Sequence, residues 1–185
     1  SQIRGQGVIY VGRLEVYKKI DVMLRAMATL TPRFPDAPIV IVGRGPAQPG
    51  LEALAQELGL AGRTRFTGFV DDAERDSLLA EARVCVCPSE KEGWGLTVME
   101  ANAVGTPVVA SDADGLRDSV RHGETGYLVP EGDIDGFADR IGKLLDSDGL
   151  TAKMSAASLE WANHFDWDRA ADEMAEAIEN ARSHA

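Results

Sequence analysis

The sequence predicts a doubly wound α/β fold: a six-stranded parallel sheet with helices on both faces and a helical carboxy-terminal tail. Six short runs rich in Val and Ile lie between residues 8 and 129, and helical patterns separate the first five. Apart from residues 64–67, each run is apolar at consecutive positions, as in a strand that is covered on both faces. Alternation of strand and helix at this spacing is typical of Rossmann-like parallel sheets.

Apolar periodicity and turn residues set the elements in chain order. The predicted strands are residues 8–11, 39–42, 64–67, 84–87, 108–110 and 127–129. The predicted helices are residues 18–31, 48–59, 72–82, 96–104, 133–147, 149–163 and 167–182. Gly105 and Pro107 end the fourth helix, because glycine favours a helix C-terminus and proline cannot continue one. We expect a Rossmann-like domain over residues 1–165 and a carboxy-terminal helix within residues 166–185.

The composition is that of an ordinary globular protein. The chain has 185 residues, 44% of them hydrophobic and 26% charged, which suits one domain with a sizeable core. Its formal net charge of −11 disfavours nucleic acid and anionic membrane surfaces as partners. An anionic ligand would need a local group of cations. The first strand pattern begins almost at once, so we expect a domain cut from a longer protein.

Cysteine and histidine usage argues against disulfides and metal sites. Cys85 and Cys87 lie two positions apart on a predicted strand, about 6.6 Å, which is near the upper limit for a disulfide. We expect two buried free thiols in a cytoplasmic protein. His122, His164 and His184 show no metal-ligand spacing.

The segment "YVGRLEVYKKID" follows the first predicted strand and carries a candidate phosphate site. Gly12 ends the strand at its carboxyl edge, where doubly wound folds bind ligands. Arg13 and Lys18 flank the next loop in a chain that is otherwise acidic. They are either two solvated charges or a phosphate clamp, with Arg as a bidentate donor and Lys as a point charge.

The segment "IVIVGRGPAQPG" follows the second predicted strand and excludes two common nucleotide sites. Gly43 and Gly45 form G-x-G, but Gln48 stands where a dinucleotide fingerprint needs a third glycine. The P-loop pattern is also missing. We therefore rank a nicotinamide-dependent dehydrogenase last among the functions considered.

The segment "SEKEGWGLTVMEANAVGTP" predicts a strand end, a glycine loop and a helix. Gly93 and Gly95 would let a ligand approach the backbone closely. The amides of Gly95, Leu96 and Thr97 would then begin a helix at the carboxyl edge of the sheet. A helix amino terminus in that position can bind an anion such as a phosphate.

Two carboxylates, Glu92 and Glu100, stand eight positions apart around this loop. Glu100 shares a helix face with Leu96 and Thr97, where it could accept hydrogen bonds from both hydroxyls of a ribose. Glu92 would face a second hydroxylated group on the other side of the anion site. The alternative is that Glu100 is simply exposed or paired with an Arg or Lys.

These motifs together resemble the GT-B-fold retaining glycosyltransferases of the glycogen-synthase and sucrose-synthase-like superfamily, in particular the "group 1" family. The E-x(7)-E spacing lies within "EGWGLTVMEANAVGTPVVAS", and "VGRLEVYKKID" is similar to G-R-L-x-x-x-K-G-x-D. The segments "IVGRGP", "RFTGFV", "GETGYLVPEGD" and "HFDWDRAA" match in the same order. The resemblance covers nearly the whole chain, but only the carboxy-terminal, donor-binding half of such an enzyme.

The resemblance implies roles for matching positions. Arg13, Lys18 and Glu92 would carry the catalysis. The donor-binding residues would be Gly12, Gly68, Gly93, Trp94, Gly95, Leu96, Thr97 and Glu100. The donor would be a UDP- or GDP-linked sugar, no metal cofactor would be required, and anomeric configuration would be retained. An absent amino-terminal domain would bind the acceptor and make any membrane contact, so the isolated chain would be inactive.

Three departures from the family pattern could alter donor choice. Lys19 replaces the usual glycine after the clamp lysine, Arg44 stands where an acidic residue is common, and Asp114 replaces a frequent glycine. The D-x-D strings at 112–114 and 133–135 could suggest a metal, but Asp133 and Asp135 are better explained by the start of a helix. Two alternatives stay open: a non-catalytic nucleotide-sugar-binding module and a nucleotide-sugar epimerase of the same fold.

Overall fold

The computed structural model describes residue 5 and residues 7–165. Six parallel strands form one sheet in the order β3-β2-β1-β4-β5-β6. The strands are β1 Val8–Val11, β2 Ile39–Val42, β3 Thr64–Gly68, β4 Val84–Cys87, β5 Val108–Ser111 and β6 Gly126–Val129. The helices are α1 Ile20–Thr29, α2 Gln48–Glu57, α3 Asp72–Glu81, α4 Leu96–Ala103, α5 Leu116–Ser119, α6 Ile134–Asp146 and α7 Asp148–Ala162. The predicted doubly wound fold is confirmed.

Successive strands are added on one side of β1 up to β3, and on its other side from β4 onward. The chain builds outward from β1 through β2 to β3, then returns to place β4 against the other side of β1. In doubly wound sheets such a reversal opens a crevice at the carboxyl ends of the two central strands. The fold therefore places the loops after β1 and β4 side by side.

Both faces of the sheet are buried, which explains the unbroken apolar runs. Val8 and Tyr10 pack into a layer with α1, α2 and α6, whereas Ile9 packs into a second layer with α3 and α4. Cys85 and Cys87 belong to the second layer and are buried free cysteines, as predicted.

Most element bounds agree with the predictions to within two residues, and the differences have local causes. The predicted helix 18–31 begins at Ile20 because Val16–Lys18 form a 3₁₀ turn and Lys19 adopts a left-handed conformation with φ 51°. The short helix α5 was not predicted because four residues carry no readable periodicity. Asp133 caps α6 by accepting from the Gly136 amide at 2.9 Å, which confirms its predicted capping role.

Two further observations complete the fold. The predicted helix at 167–182, and with it the whole segment 166–185, lies outside the described residues. Over residue 5 and residues 7–165, the helices fall short of the length and apolar character needed to cross a bilayer.

Candidate functional site

The candidate site lies where two loops meet at the carboxyl ends of β1 and β4. We call residues 12–19 the β1 loop and residues 88–95 the β4 loop. The backbone joins them, since the Glu90 amide donates to the Tyr17 carbonyl at 2.9 Å. Lys19 Nζ also lies 2.7 Å from Glu90 Oε1. Lys19, which has a left-handed backbone conformation and stands where the family pattern has glycine, thus bridges both loops.

Two predicted catalytic residues, Lys18 and Glu92, form an ion pair across these loops. Lys18 Nζ lies 2.5 Å from Glu92 Oε1, and the two side chains are only 13% and 23% exposed. Ser89 Oγ donates to the same carboxylate oxygen at 2.8 Å. The fold therefore holds a cation and an anion in contact at the edge of the sheet, a pairing that the sequence did not predict.

Arg13 is positioned from the core by Tyr10. The Tyr10 hydroxyl donates to the Arg13 carbonyl at 2.9 Å, and Arg13 Nη2 donates to the Tyr17 hydroxyl at 3.0 Å. Burial raises the pKa of Tyr10, and Cys87 and Glu92 add to the rise, so the phenol stays a proton donor. Sequence reasoning missed Tyr10, although a hydroxyl-bearing residue in an otherwise aliphatic strand is a detectable signal.

The amino end of α4 lies at the same edge because the helix begins directly after the β4 loop. Gly95 is its N-cap with φ 73°, a conformation that glycine adopts without strain. A Cβ atom at Gly95 would also lie 2.6 Å from Ser119 Oγ. Thr97 Oγ1 reaches the Val11 carbonyl at 3.5 Å, which links the helix start to β1. Trp94 and Leu96 are 42% and 64% exposed.

Glu100 is paired with Arg75, which is the alternative that the sequence left open. Arg75 Nη1 lies 3.0 Å from Glu100 Oε1, and the same guanidinium contacts Asp72 and Asp76. Burial raises the pKa of Glu100, while Arg75 acts in the opposite direction. The Glu100 side chain remains 32% exposed. Arg75 was missed because α3 carries no motif.

A cavity of about 430 Å³ opens beside these residues, between the carboxyl ends of β1, β2 and β3. Gly12, Arg13, Arg44, Phe69 and Arg75 line it. Three of these are cations in a chain of net charge −11, and Phe69 is 74% exposed.

Gly68 comes immediately before Phe69 and lies against Arg44. Its φ is 72°, and a Cβ atom there would lie 3.4 Å from Arg44 Nε. Its carbonyl accepts from the Gly43 amide at 2.8 Å. Arg44 and Phe69 were not assigned to the site from sequence, although they stand two residues after β2 and one residue after β3 at this edge.

A larger groove of about 1100 Å³ lies at the opposite edge of the sheet, where β1 begins. Its buried guanidinium, Arg83, donates to the Leu144 carbonyl at 2.9 Å and pairs with Asp148 at 2.6 Å. Since parallel sheets bind ligands at their carboxyl edge, we place the site at the β1 and β4 loops.

The acidic string at 112–114 is bound by an arginine of this chain. Arg117 contacts Asp112 at 2.5 Å and Asp114 at 2.8 Å. Within the part of the chain that the structure describes, His, Cys, Asp and Glu residues form no group of three or more that could hold a metal.

Comparison with known proteins identifies the family. Residues 5–161 match the family described as glycosyl transferases group 1. The chain belongs to the group 1 glycosyl transferases. It corresponds to the carboxy-terminal domain of a group 1 enzyme with the GT-B fold, as the motifs indicated.

Curated relatives and solved structures agree with this assignment. The chain is 38% identical over 174 residues to D-inositol 3-phosphate glycosyltransferase of Corynebacterium urealyticum, covering 90% of this chain and 41% of the relative. It is 40% identical over 166 residues to phosphatidyl-myo-inositol mannosyltransferase of Mycolicibacterium smegmatis, covering 88% and 42%. This group 1 domain thus spans about two fifths of the length of these relatives.

The fold also matches that of HepE from Anabaena, whose crystal structure contains UDP. The TM-score is 0.86 at 26% sequence identity, and the match covers 96% of this chain and 49% of HepE.

Proposed function

We propose that this chain is the donor-nucleotide-binding domain of a retaining glycosyltransferase, which transfers a sugar from a nucleoside-diphosphate sugar to an acceptor. One observation carries the proposal. In a chain of net charge −11, Arg13, Lys18 and the amino end of α4 gather at one edge of the sheet, with Glu92 and Glu100 beside them. Cations next to hydroxyl-binding carboxylates suit a ligand that combines phosphates with sugars.

The diphosphate would be held by Arg13, Lys18 and the amides at the start of α4. Negative charge grows on this group as the bond to the sugar breaks, so fixed positive groups stabilise the transition state more than the substrate. One preorganised donor of this kind contributes roughly 3 kcal/mol. Tyr10 supports the arrangement by fixing the Arg13 carbonyl.

The donor sugar would lie against Glu92 and the backbone of Gly93, Trp94 and Gly95. Glu92 Oε1 is already bound by Lys18 and Ser89. A sugar hydroxyl would donate to the carboxylate, and the diphosphate would take over Lys18. The ion pair thus sets the spacing between the sugar and phosphate positions.

The nucleoside would occupy the cavity lined by Gly12 and Phe69, with Gly68 next to Phe69 in the chain. Glu100 would accept from the ribose hydroxyls, and the exposed Phe69 ring offers an apolar surface to the base. The UDP bound to HepE supports a uridine nucleotide as one candidate. A GDP-linked sugar is the other.

Calorimetric titration with UDP, GDP, ADP and CMP tests the proposal. We expect a nucleoside diphosphate to bind, and Arg13→Ala and Lys18→Ala to weaken it by about 1.5–3 kcal/mol each, the range for charged hydrogen bonds. The uncharged nucleoside should lose little affinity in either variant. Equal losses for nucleotide and nucleoside would remove both residues from the phosphate site.

A further inference from the structure

The β4 loop is supported on two sides by side chains from the end of α7. We call Trp94, Trp161 and Phe165 the aromatic brace. The Trp94 and Phe165 ring centroids are 5.6 Å apart with planes at 67°, and those of Trp161 and Phe165 are 4.8 Å apart at 85°. Both are edge-to-face contacts, the arrangement that aromatic rings favour. Phe165 therefore joins the loop residue to the helix.

Trp161 also supports the second side of the loop, through α5. Its Nε1 donates to the Ser119 carbonyl at 2.9 Å, and the Arg121 guanidinium lies 5.0 Å from its ring centroid. Ser119 in turn lies directly against Gly95, where a Cβ atom would come within 2.6 Å of its hydroxyl. Trp161 thus fixes the surface on which Gly95 rests.

The segment before α5 meets the same loop by backbone contact. The Glu92 amide donates to the Asp114 carbonyl at 3.3 Å. A Cβ atom at Gly115 would overlap the Glu92 carbonyl and lie 2.7 Å from the Gly93 carbonyl. The β4 loop therefore has little room to shift unless α5 or Phe165 shifts with it.

We propose that Trp161 and Phe165 are positioning residues that hold the β4 loop, and with it Glu92 and the amino end of α4, in its donor-binding geometry. Trp94 of the β4 loop contacts Phe165, which contacts Trp161 of α7. Trp161 also binds Ser119 of α5, which packs against Gly95 at the end of the same loop. The link to donor binding rests on the function proposed above. Because the Phe165 ring contacts Trp94 in the β4 loop, a displacement of the chain at Phe165 would be transmitted to the donor site.

Hydrogen exchange of the 185-residue chain tests the brace without a ligand. The amides of Glu92, Val98 and Met99 are hydrogen-bonded at the loop and helix start, so their exchange reports local opening. Phe165→Ala should speed exchange of these amides about three- to tenfold, the factor expected for losing an aromatic contact. The amides of α1 should keep their parental rates. Phe165→Tyr retains the ring and should restore slow exchange.

Leu159→Ala is the matched control, because Leu159 lies on α7, is 43% exposed like Phe165 at 39%, and lines the groove at the opposite edge. It should leave the loop amides unchanged. The proposal would be overturned if Phe165→Ala left the exchange rates of the loop amides unchanged, or if it raised the exchange rates of the α1 amides to the same extent.

Titration of the same variants with UDP and GDP separates the two proposals. Phe165→Ala should weaken the bound nucleotide about three- to tenfold and the matching nucleoside hardly at all. If the parent chain binds neither nucleotide, the donor-binding role fails, and the exchange rates still decide the brace. Nucleotide affinity that is unchanged in Phe165→Ala, in a parent that does bind, would contradict the link to the donor site.

Discussion

At the residue scale, the ion pair between Lys18 and Glu92 lies at the centre of the proposed donor site. Lys18 and Glu92 stand 74 positions apart in the chain yet lie 2.5 Å from each other. In the proposed donor complex, the carboxylate and the diphosphate would compete for the same ammonium group. Binding of phosphate and binding of sugar would then be energetically coupled, and this coupling can be measured.

We expect Glu92→Gln to favour binding of the nucleotide over binding of the nucleotide sugar. Release of Lys18 from the ion pair should strengthen the binding of UDP or GDP by about 1 kcal/mol, roughly fivefold. This is the upper range for the free energy of a partly exposed ion pair. The nucleotide sugar should gain less or weaken, because its hydroxyl loses a charged acceptor. Calorimetry measures both.

Glu90→Gln is the matched control for that prediction. It removes a carboxylate from the same loop, but one that pairs with Lys19. If it strengthens UDP or GDP as much as Glu92→Gln does, the effect is general charge repulsion and the specific competition is disproved.

Glu100 should make ribonucleotide binding dependent on pH. Burial raises the pKa of Glu100, so the folded protein takes up this proton at a higher pH than an ordinary glutamate would. In the proposed complex the ionised form would accept hydrogen bonds from the ribose, so affinity should be full well above that pKa and fall as the pH drops through it. Measuring Kd between pH 4 and 8 tests this. The 2′-deoxynucleotide should show a weaker dependence, and Glu100→Gln a flat one.

At the scale of elements, Arg63 ties the end of α1 to the start of β3. Its guanidinium donates to the carbonyls of Met27, Phe34 and Ala37 and to the Thr31 hydroxyl, over 2.6–3.3 Å. Helix carboxyl ends leave carbonyls without partners, and this side chain binds one of them, that of Met27, together with two carbonyls of the segment that follows α1. It acts on stability rather than on the site.

Arg63→Ala should lower the free energy of unfolding by about 3 kcal/mol, because buried carbonyls lose a charged donor. Urea unfolding measures the change. Arg63→Lys should recover only part of it, since a single ammonium cannot reach four acceptors that a planar fork reaches. If Arg63→Lys fully restored the free energy of unfolding, the positive charge alone, and not the planar guanidinium, would account for the stabilisation.

At the scale of the whole molecule, we expect nucleotide binding to need no divalent ion. Arg13, Lys18 and the α4 amino end supply positive charge, and Arg117 already binds Asp112 and Asp114. Affinity for UDP or GDP should survive EDTA. A large loss on chelation that magnesium or manganese restores would assign a metal to the site.

The isolated chain should bind its donor without transferring the sugar. It spans 41–42% of two of its curated relatives, and we expect the remainder of a longer protein to cover the donor and present the acceptor. Mixing the 185 residues with a nucleotide sugar and an acceptor of the full-length enzyme should give no product above background. Efficient turnover would disprove the two-domain interpretation.

The sequence alone determined the six strands, the longer helices and the edge of the sheet that carries the candidate site. Runs such as Val84–Cys87 predicted strands almost to the residue, because a strand covered on both faces must be apolar at every position. The glycine loop placed Glu92 before a predicted helix and Glu100 one turn inside it. Such features depend on neighbours within a few residues, so a linear pattern records them.

Only the tertiary structure decided which side chains meet. The pairing of Arg75 with Glu100, the support of Arg13 by Tyr10 and the contact of Trp94 with Phe165 each join different elements. Lys18 and Glu92 come together because the sheet places β4 beside β1, an order that no local pattern encodes. Contacts between distant residues follow from the packing of the whole sheet and its helices, whereas periodicity reports only whether each segment can form.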